Sequence, residues 1–415
     1  MNLKATPIST LETTNPTSKT LSLKDYKVVL YHGINSINAQ DWIKAAPTDN
    51  LFLHLDYLQV LEENPPKGME FCYLLFYKAQ EPIGIAQCQI QFFKADQNIR
   101  DNNDEKAPCF FTTITRYLKD LVAKKAEFNV LINGNLLLTG EHGFHFKTDH
   151  ISEEDCIQVL DEALNYALSE LNNKGKKLSG ILLKEFYESN RSYSETFSKN
   201  LAFNEFTVQP NMIMDVRPDW KSYEDYLDSM TSKYRVRAKR ASKKGKPFVK
   251  RPLNDEEIEA SLDRLYELYE GIAENSGFNM VNLNRHYLLE LKRTFPERFK
   301  MTGYYLDNQL VGYYTTMLND HELEAHFLGF DQSLNRDYQI YLNILYDIVN
   351  EGIESRVKKI IFARTAMEIK SSVGAIAEEM YCYLRHKNAF SNKFVRPILE
   401  YLRPDHEWQP RHPFK

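Results

Sequence analysis

Phe71–Gly84 reads FCYLLFYKAQEPIG, and Phe299–Gly312, 228 residues further on, reads FKMTGYYLDNQLVG. Identities fall at Phe71/Phe299, Tyr77/Tyr305 and Gly84/Gly312, and Ile83 is matched by Val311. Each copy is an apolar run, a short polar break and a second apolar run, the pattern of a β-hairpin, here over 71–93 and 300–318. The surroundings repeat too. A helical stretch with a shared Tyr-Leu precedes each hairpin (HLDYLQVLEEN and NRHYLLELKRTF), and an apolar strand follows each, at Asn135–Phe146 and Glu322–Phe330. Then come a long helical pattern and a buried strand: DEALNYALSELNNKG before LSGILLKEF, and YLNILYDIVNEGIES before KKIIFARTA. The same order in both halves predicts two copies of one mixed α/β fold.

Working outward, residues 1–22 are polar and Thr/Ser-rich and read as a flexible leader without the apolar core of a secretory signal. The first domain is expected at 23–210, with an insertion near 95–125 (ADQNIRDNNDEKAP, then TRYLKDLVAKK). The second is expected at 211–403, followed by a tail at 404–415. At 43% hydrophobic and 13% aromatic, the 415 residues suffice for packed cores. No stretch has the length of apolar residues that a spanning helix needs. Five scattered cysteines (Cys72, Cys88, Cys109, Cys156, Cys382) with no CxxC argue for reduced thiols in a cytoplasmic protein.

Charge is unevenly placed. Between Lys233 and Arg251 ten of nineteen residues are basic and none is acidic, whereas the whole chain carries −5. Without that segment the rest stands at −15. Tyr234, Ala238 and Ala241 recur at helical spacing, so one face of a helix can rest on a body while Lys233, Arg235, Arg237, Arg240 and Lys244 remain free for a polyanion. A strongly acidic remainder argues against sequence-specific DNA binding.

Three segments resemble the GNAT superfamily of acyltransferases, in the tandem FemABX-like arrangement that includes CelD/BioF-like acetyltransferase domains. They are SKYRVRAKRASKKG at Ser232–Gly245, LDNQLVGYYTTML at Leu306–Leu318 with the strand ELEAHFLGFD, and FARTAMEIKSSVGA at Phe362–Ala375. The resemblance implies two tandem GNAT-like (acyl-CoA N-acyltransferase) domains. It also implies transfer of an acyl or aminoacyl group from a thioester or ester to an amine, with a lipid amine or a cell-envelope precursor among the acceptors. The donor it implies is acyl-CoA, an acyl carrier protein thioester or aminoacyl-tRNA, without a metal. Peripheral contact with the anionic inner face of a membrane is compatible with it. The chain departs from the pattern at one point. Many acetyl-CoA enzymes of the superfamily carry an Arg/Gln-x-x-Gly-x-Gly/Ala loop after the central strand, whose amides hold pyrophosphate. Here FDQSLNRDYQIY has no glycine. That departure favours a longer acyl thioester, a carrier protein or aminoacyl-tRNA over acetyl-CoA. It is also the best support for the alternative, a non-catalytic protein of the same fold that holds a carrier protein, RNA or an anionic membrane.

Amide formation needs a neutral amine and protonation of the leaving group. On the strand at 321–330, alternation puts Leu323, Ala325 and Phe327 on one face and Glu322, Glu324 and His326 on the other. Glu324 is the candidate base, with His326 as the alternate; pairing of Glu324 with a buried Arg or Tyr is the structural alternative. Tyr338 and Tyr341 open the next helix, where a hydroxyl would protonate a leaving thiolate or alkoxide. Arg364, Glu368 and Lys370 sit in the loop after a late strand, and Arg364 would clamp a phosphate or carboxylate. Glu141, His142 and His145 are expected on a short strand of the first half. Residues three apart on a strand point to opposite faces, so the two histidines make no metal site there.

Overall fold

The computed structural model describes residues 18–23, 25–94, 127–273, 282–402 and 408–415. In chain order the first half carries β1 (Ser18–Leu23), β2 (Tyr26–Tyr31), β3 (Glu70–Lys78), β4 (Glu81–Lys94), β5 (Glu127–Asn133), β6 (Phe144–Phe146), β7 (Leu178–Tyr187) and β8 (Asn204–Thr207). The second carries β9 (Asn211–Asp215), β10 (Val249–Pro252), β11 (Phe299–Leu306), β12 (Gln309–Asn319), β13 (Glu322–Phe330), β14 (Lys359–Ile361), β15 (Ile376–Glu378) and β16 (Met380–His386). These strands form two mixed sheets flanked by helices, the paired α/β architecture expected from the repeat and, in its tandem GNAT-like form, from the resemblance.

The two hairpins are equivalent in detail. Each turns through two residues with positive φ: Ala79 and Gln80 at 46° and 71°, and Asp307 and Asn308 at 50° and 63°. That geometry suits the twist of a two-residue hairpin. Each register then slips at the same place, so that Ile83 and its counterpart Val311 are the extra residues. The shared glycines follow from close approach. A Cβ on Gly84 would meet the Phe146 ring at 2.3 Å, and one on Gly312 would meet Ile340 at 2.8 Å.

The sheets do not divide at one point in the chain. The first runs β1-β2-β3-β4-β5-β7-β16-β8, with β6 against β4, and the second runs β10-β11-β12-β13-β14-β9-β15. The strand that follows β8 leaves to pair antiparallel with both β14 and β15. The strand that follows β15 returns to pair with β7 and β8. The second half thus supplies one internal strand to the first half's sheet: β16, within the span 211–403, lies between β7 and β8.

Three cores result. One fills the first sheet's face against the helix Glu153–Asn173, and another the second sheet's face against Ile340–Glu354. The third is common to both halves: Trp42, Phe52, Tyr57 and Leu61 pack in one cluster with Leu265, Tyr287, Leu291 and Phe299. At its centre the Tyr57 and Tyr287 hydroxyls meet at 3.0 Å. Each fully buried large side chain contributes about 1.5–3 kcal/mol relative to exposure, so this cluster ties the halves firmly.

Three expectations are corrected. Residues 18–22, assigned to a flexible leader, lie in β1 and pair with β2, where Lys19 and Leu21 oppose Leu30 and Val28. The leader's first seventeen residues and the insertion at 95–125 lie outside the described residues. The central strand of the first half is β5 at Glu127–Asn133, not Asn135–Phe146. The apolar run LLLTG after it is a buried loop, whose Leu137 amide bonds the Asn135 side chain at 2.9 Å. Along β13 the alternation breaks, because Thr316 opposes Ala325 while Tyr314 opposes Leu328. This bulge turns Phe327 away from Leu323 and Ala325, and its ring packs in the shared core. Thr315 fixes it, with Oγ1 accepting from Phe327 N at 2.8 Å and donating to Phe327 O at 2.9 Å.

The crossing of β16 and the shared core predict that the halves unfold together. Urea denaturation followed by tyrosine fluorescence and far-UV circular dichroism is expected to give one coincident transition. A fragment ending at residue 210 is expected to stay unfolded for want of β16. Two separated transitions, or a folded fragment, would contradict the interlocked arrangement.

Candidate functional site

Between the halves lies a cavity of about 700 Å³, walled by Glu322 and Glu324 from β13, by Lys184 and Tyr187 from β7, and by Glu141 and His142 from the loop before β6. Glu322–Glu324 is where β13 pairs with the parallel β14, and β13 runs on to Phe330 without β14 beside it. The two strands part there, next to the bulge. Glu324 is 6% exposed, and its carboxylate has no hydrogen bond or ion pair among the described residues. Burial, and then the neighbouring Glu322, raise its pKa well above the carboxylate range. No buried Arg or Tyr satisfies it.

His326 sits two residues along on the same face, behind the cavity wall. Its Nε2 shares a 3.0 Å hydrogen bond with the Tyr287 hydroxyl, while Nδ1 is buried without a partner. Burial pushes its pKa down to about 3, so the ring is neutral at physiological pH. From Tyr287 a chain of hydrogen bonds crosses into the first half, through Tyr57 and Asn135 (3.2 Å) to Gln89 (3.2 Å). Glu141 and His142 precede β6 instead of sharing a strand with His145. His142 is occupied by Asn50 Oδ1 at 3.3 Å and Thr139 O at 3.2 Å.

Behind the cavity the halves are joined by buried charges. Glu185, fully buried and in a left-handed conformation (φ 62°), meets Arg364 at 2.9 Å and Lys184 at 2.5 Å. It also accepts from the Gly140 amide at 2.8 Å, and Lys184 donates to Leu138 O at 2.8 Å. Burial alone would raise the Glu185 pKa, but Arg364 and Lys184 hold it low. Arg364, expected to clamp a ligand, is therefore committed to Glu185. Lys370 is buried as well and donates to the carbonyls of Ala363 (3.3 Å) and Arg364. Those carbonyls belong to a strained turn in which Ala363, Thr365 and Ala366 all have positive φ. Burial, then Arg364, lower the Lys370 pKa to about 7. Neither Arg364 nor Lys370 lines either large cavity.

The basic segment forms a helix, Ser232–Gly245, with Tyr234, Ala238 and Ala241 buried as their spacing requires. Lys233, Arg237 and Arg240 line a second cleft of about 770 Å³ with Gln339, Glu368 and Arg411. This cleft lies within the second half and not between the halves. Arg235 turns away to Asp228 at 3.0 Å. Gln339 caps the helix Ile340–Glu354 with a left-handed backbone (φ 52°), without a side-chain cap, and its Oε1 is buried without a partner. Tyr338 is placed elsewhere: its ring packs on Phe248 at 5.3 Å, and Tyr341 stacks on Phe330 at 5.8 Å. The sequence reading missed Lys184, Glu185 and Arg411. The first two carried a signal, two adjacent charges in the buried strand LSGILLKEF.

Among the described residues no group of three or more His, Cys, Asp or Glu is placed to hold a metal, and no helix is long and apolar enough to cross a membrane. Residues 229–371 match the acetyltransferase (GNAT) domain model. No curated protein matches the chain. Of solved structures, FemX superposes with a TM-score of 0.53 at 13% identity, covering 87% of this chain and 98% of its own. A tandem GNAT protein from the clavulanic acid biosynthesis pathway gives 0.48 at 9% identity, over 88% and 99%. The C-terminal domain of a putative lysylphosphatidylglycerol synthetase from Agrobacterium fabrum gives 0.46 at 9% identity, over 86% and 95%. At such identities the likeness to FemX is one of fold.

Two predictions follow from these charges. Glu185→Gln strands Lys184 and Arg364 and is expected to cost about 3–5 kcal/mol, read as a lower urea midpoint at unchanged slope. Glu324 behaves oppositely. Its folded pKa lies above the unfolded one, so its stabilisation is complete below about pH 4.3 and is lost as pH rises through the folded pKa. Glu324→Gln is therefore expected to be at least as stable as the wild type at pH 8. A large loss of stability there would reveal a hidden partner.

Proposed function

We propose that this chain, a tandem GNAT protein with the fold of FemX, is an N-acyltransferase that delivers an acyl or aminoacyl group to an amine from a donor with a long arm. The observation that carries this reading is Glu324, a buried carboxylate without a partner on the wall of a cavity. A carboxyl group whose basicity burial has raised is suited to take a proton near neutral pH. The amine acceptor enters the cavity between the halves and passes its proton to Glu324. Its nitrogen attacks the donor carbonyl, the C–N bond forms, and the C–S or C–O bond breaks. The thiolate or alkoxide leaves with a proton from solvent, since neither Tyr338 nor Tyr341 lines the cavity.

The donor's anionic part is assigned to the cleft of Lys233, Arg237 and Arg240. β13 links the two places, with Glu324 at the cavity and Phe330 six residues on, packed beneath the helix that Gln339 caps. At roughly 3.3 Å per residue that is about 20 Å. A donor that reaches from one to the other needs an extended arm between its phosphates and its carbonyl. A pantetheine thioester or the acylated end of a tRNA has one.

Amide formation by wild-type protein from acetyl-CoA, long-chain acyl-CoA, acyl carrier protein thioesters and aminoacyl-tRNA, with a panel of amines, tests the reading. One donor class is expected to react, with kcat/KM rising with pH through a group above the usual carboxylate range. Glu324→Gln is expected to abolish that limb and lower kcat about 10²–10⁴-fold at unchanged donor affinity. A donor held tightly without turnover by the wild type would favour a binding protein instead.

A further inference from the structure

Residues 408–415 pack on the second half beside the basic cleft, to whose lining Arg411 belongs. Phe414 anchors them: its ring sits 5.3 Å from Trp220 and 5.9 Å from Tyr226, with the Arg217 guanidinium 4.6 Å over its face. The site is shaped for it. Gly374 is in a left-handed conformation, and a Cβ there would stand 2.6 Å from the Phe414 ring. Backbone pairing finishes the attachment beside the start of the basic helix. The Thr231 amide donates to Pro413 O at 2.8 Å, the Lys415 amide to Ser229 O at 3.1 Å, and Met230 bridges to Phe414.

This docking brings Arg411 to the cleft between Pro410 and Pro413, whose rings fix φ on either side. Its amide donates to Ser371 Oγ at 3.1 Å, and its Nη2 to Glu368 at 3.0 Å. Glu368 also accepts from the Gln409 amide at 3.3 Å. One edge of the guanidinium is therefore held, and Arg411 lines the cleft with Lys233, Arg237 and Arg240. Glu368 is the sole acid among the described lining residues. An exposed pair such as Arg411–Glu368 adds little to stability. A fourth cation beside three others is unfavourable unless an anion joins them. The arrangement makes sense as a binding device more than as a fold device.

We infer that Arg411, strapped into place by Phe414 and aimed by Glu368, is a donor-binding residue that contacts the clustered phosphates of the acyl donor. This rests on the donor reading above and extends it to a segment that carries no recognisable motif. The shared chemistry is a run of phosphates, from a nucleotide such as coenzyme A or from a tRNA backbone.

Binding of coenzyme A and of deacylated tRNA is measured separately over a salt series, for wild type, Arg411→Gln, Phe414→Ala and Arg237→Glu. Wild type is expected to bind one of the two probes, which identifies the source of the phosphates. For that probe Arg411→Gln is expected to weaken binding several-fold and to reduce the slope of log affinity against log salt by about 0.7–0.9, one phosphate contact, without changing the melting temperature. Phe414→Ala is expected to reproduce the loss by releasing the strap. If Phe414→Ala fails to fold, Arg411→Gln alone decides. Unchanged affinity and slope in Arg411→Gln, beside a clear loss in Arg237→Glu, would overturn the role of Arg411 and leave the cleft intact. No binding of either probe by the wild type, or no effect of Arg237→Glu, would overturn the donor reading and this inference with it.

Discussion

The return of β16 from the second half into the first sheet is the constraint on which the rest of the molecule depends. The first sheet is continuous from β7 to β8 only because the second half lends it an internal strand. This crossing joins the halves alongside the shared core of Tyr57 and Tyr287, and β7 of the first half lies against the loop after β14 of the second. The ion cluster of Lys184, Glu185 and Arg364 closes that junction. Buried charge of this kind is costly to assemble and more costly to break, so it fixes one relative placement of the halves. The cavity wall combines residues from both and inherits its shape from that placement.

Electrostatically the two clefts are opposites. The cavity between the halves presents carboxylates, and the deepest of them is unpaired. The cleft on the second half gathers cations at the start of a helix, whose free amides add to the attraction for anions. In the proposed reaction, separation of the two along one strand keeps donor phosphates away from Glu322 and Glu324, which would repel them. A protein that joins an anionic donor to an amine needs such a division, and bringing both reactants together supplies much of the rate.

Much of this was legible in the sequence, and the limits are physical. The hairpin echo at 228 residues held down to its bulge, because Ile83 and Val311 each precede a glycine that a neighbour crowds. Helical spacing placed Tyr234, Ala238 and Ala241 inside, since one face of that helix is apolar whatever it packs on. The crossing of β16 was invisible, because it reads as an ordinary apolar strand and pairing partners are not encoded locally. The bulge at His326–Phe327 was equally hidden, as it depends on Thr315 of the next strand. At Arg364 and Lys370 a charge in a loop was taken for a ligand contact. The partner of Arg364 lay almost two hundred residues away, in β7, and those of Lys370 were carbonyls of its own turn. Arg411 left no local signal at all, because its position comes from the docking of Phe414.

The central claim is that one donor spans from the basic cleft to Glu324. A structure of the protein with a non-reactive ketone analogue of an acyl-coenzyme A tests it most directly. The account predicts phosphates among Lys233, Arg237 and Arg240, the arm running where β13 and β14 part, and the carbonyl facing the cavity beside Glu324. Phosphates bound anywhere else, or a carbonyl remote from Glu324, would contradict it.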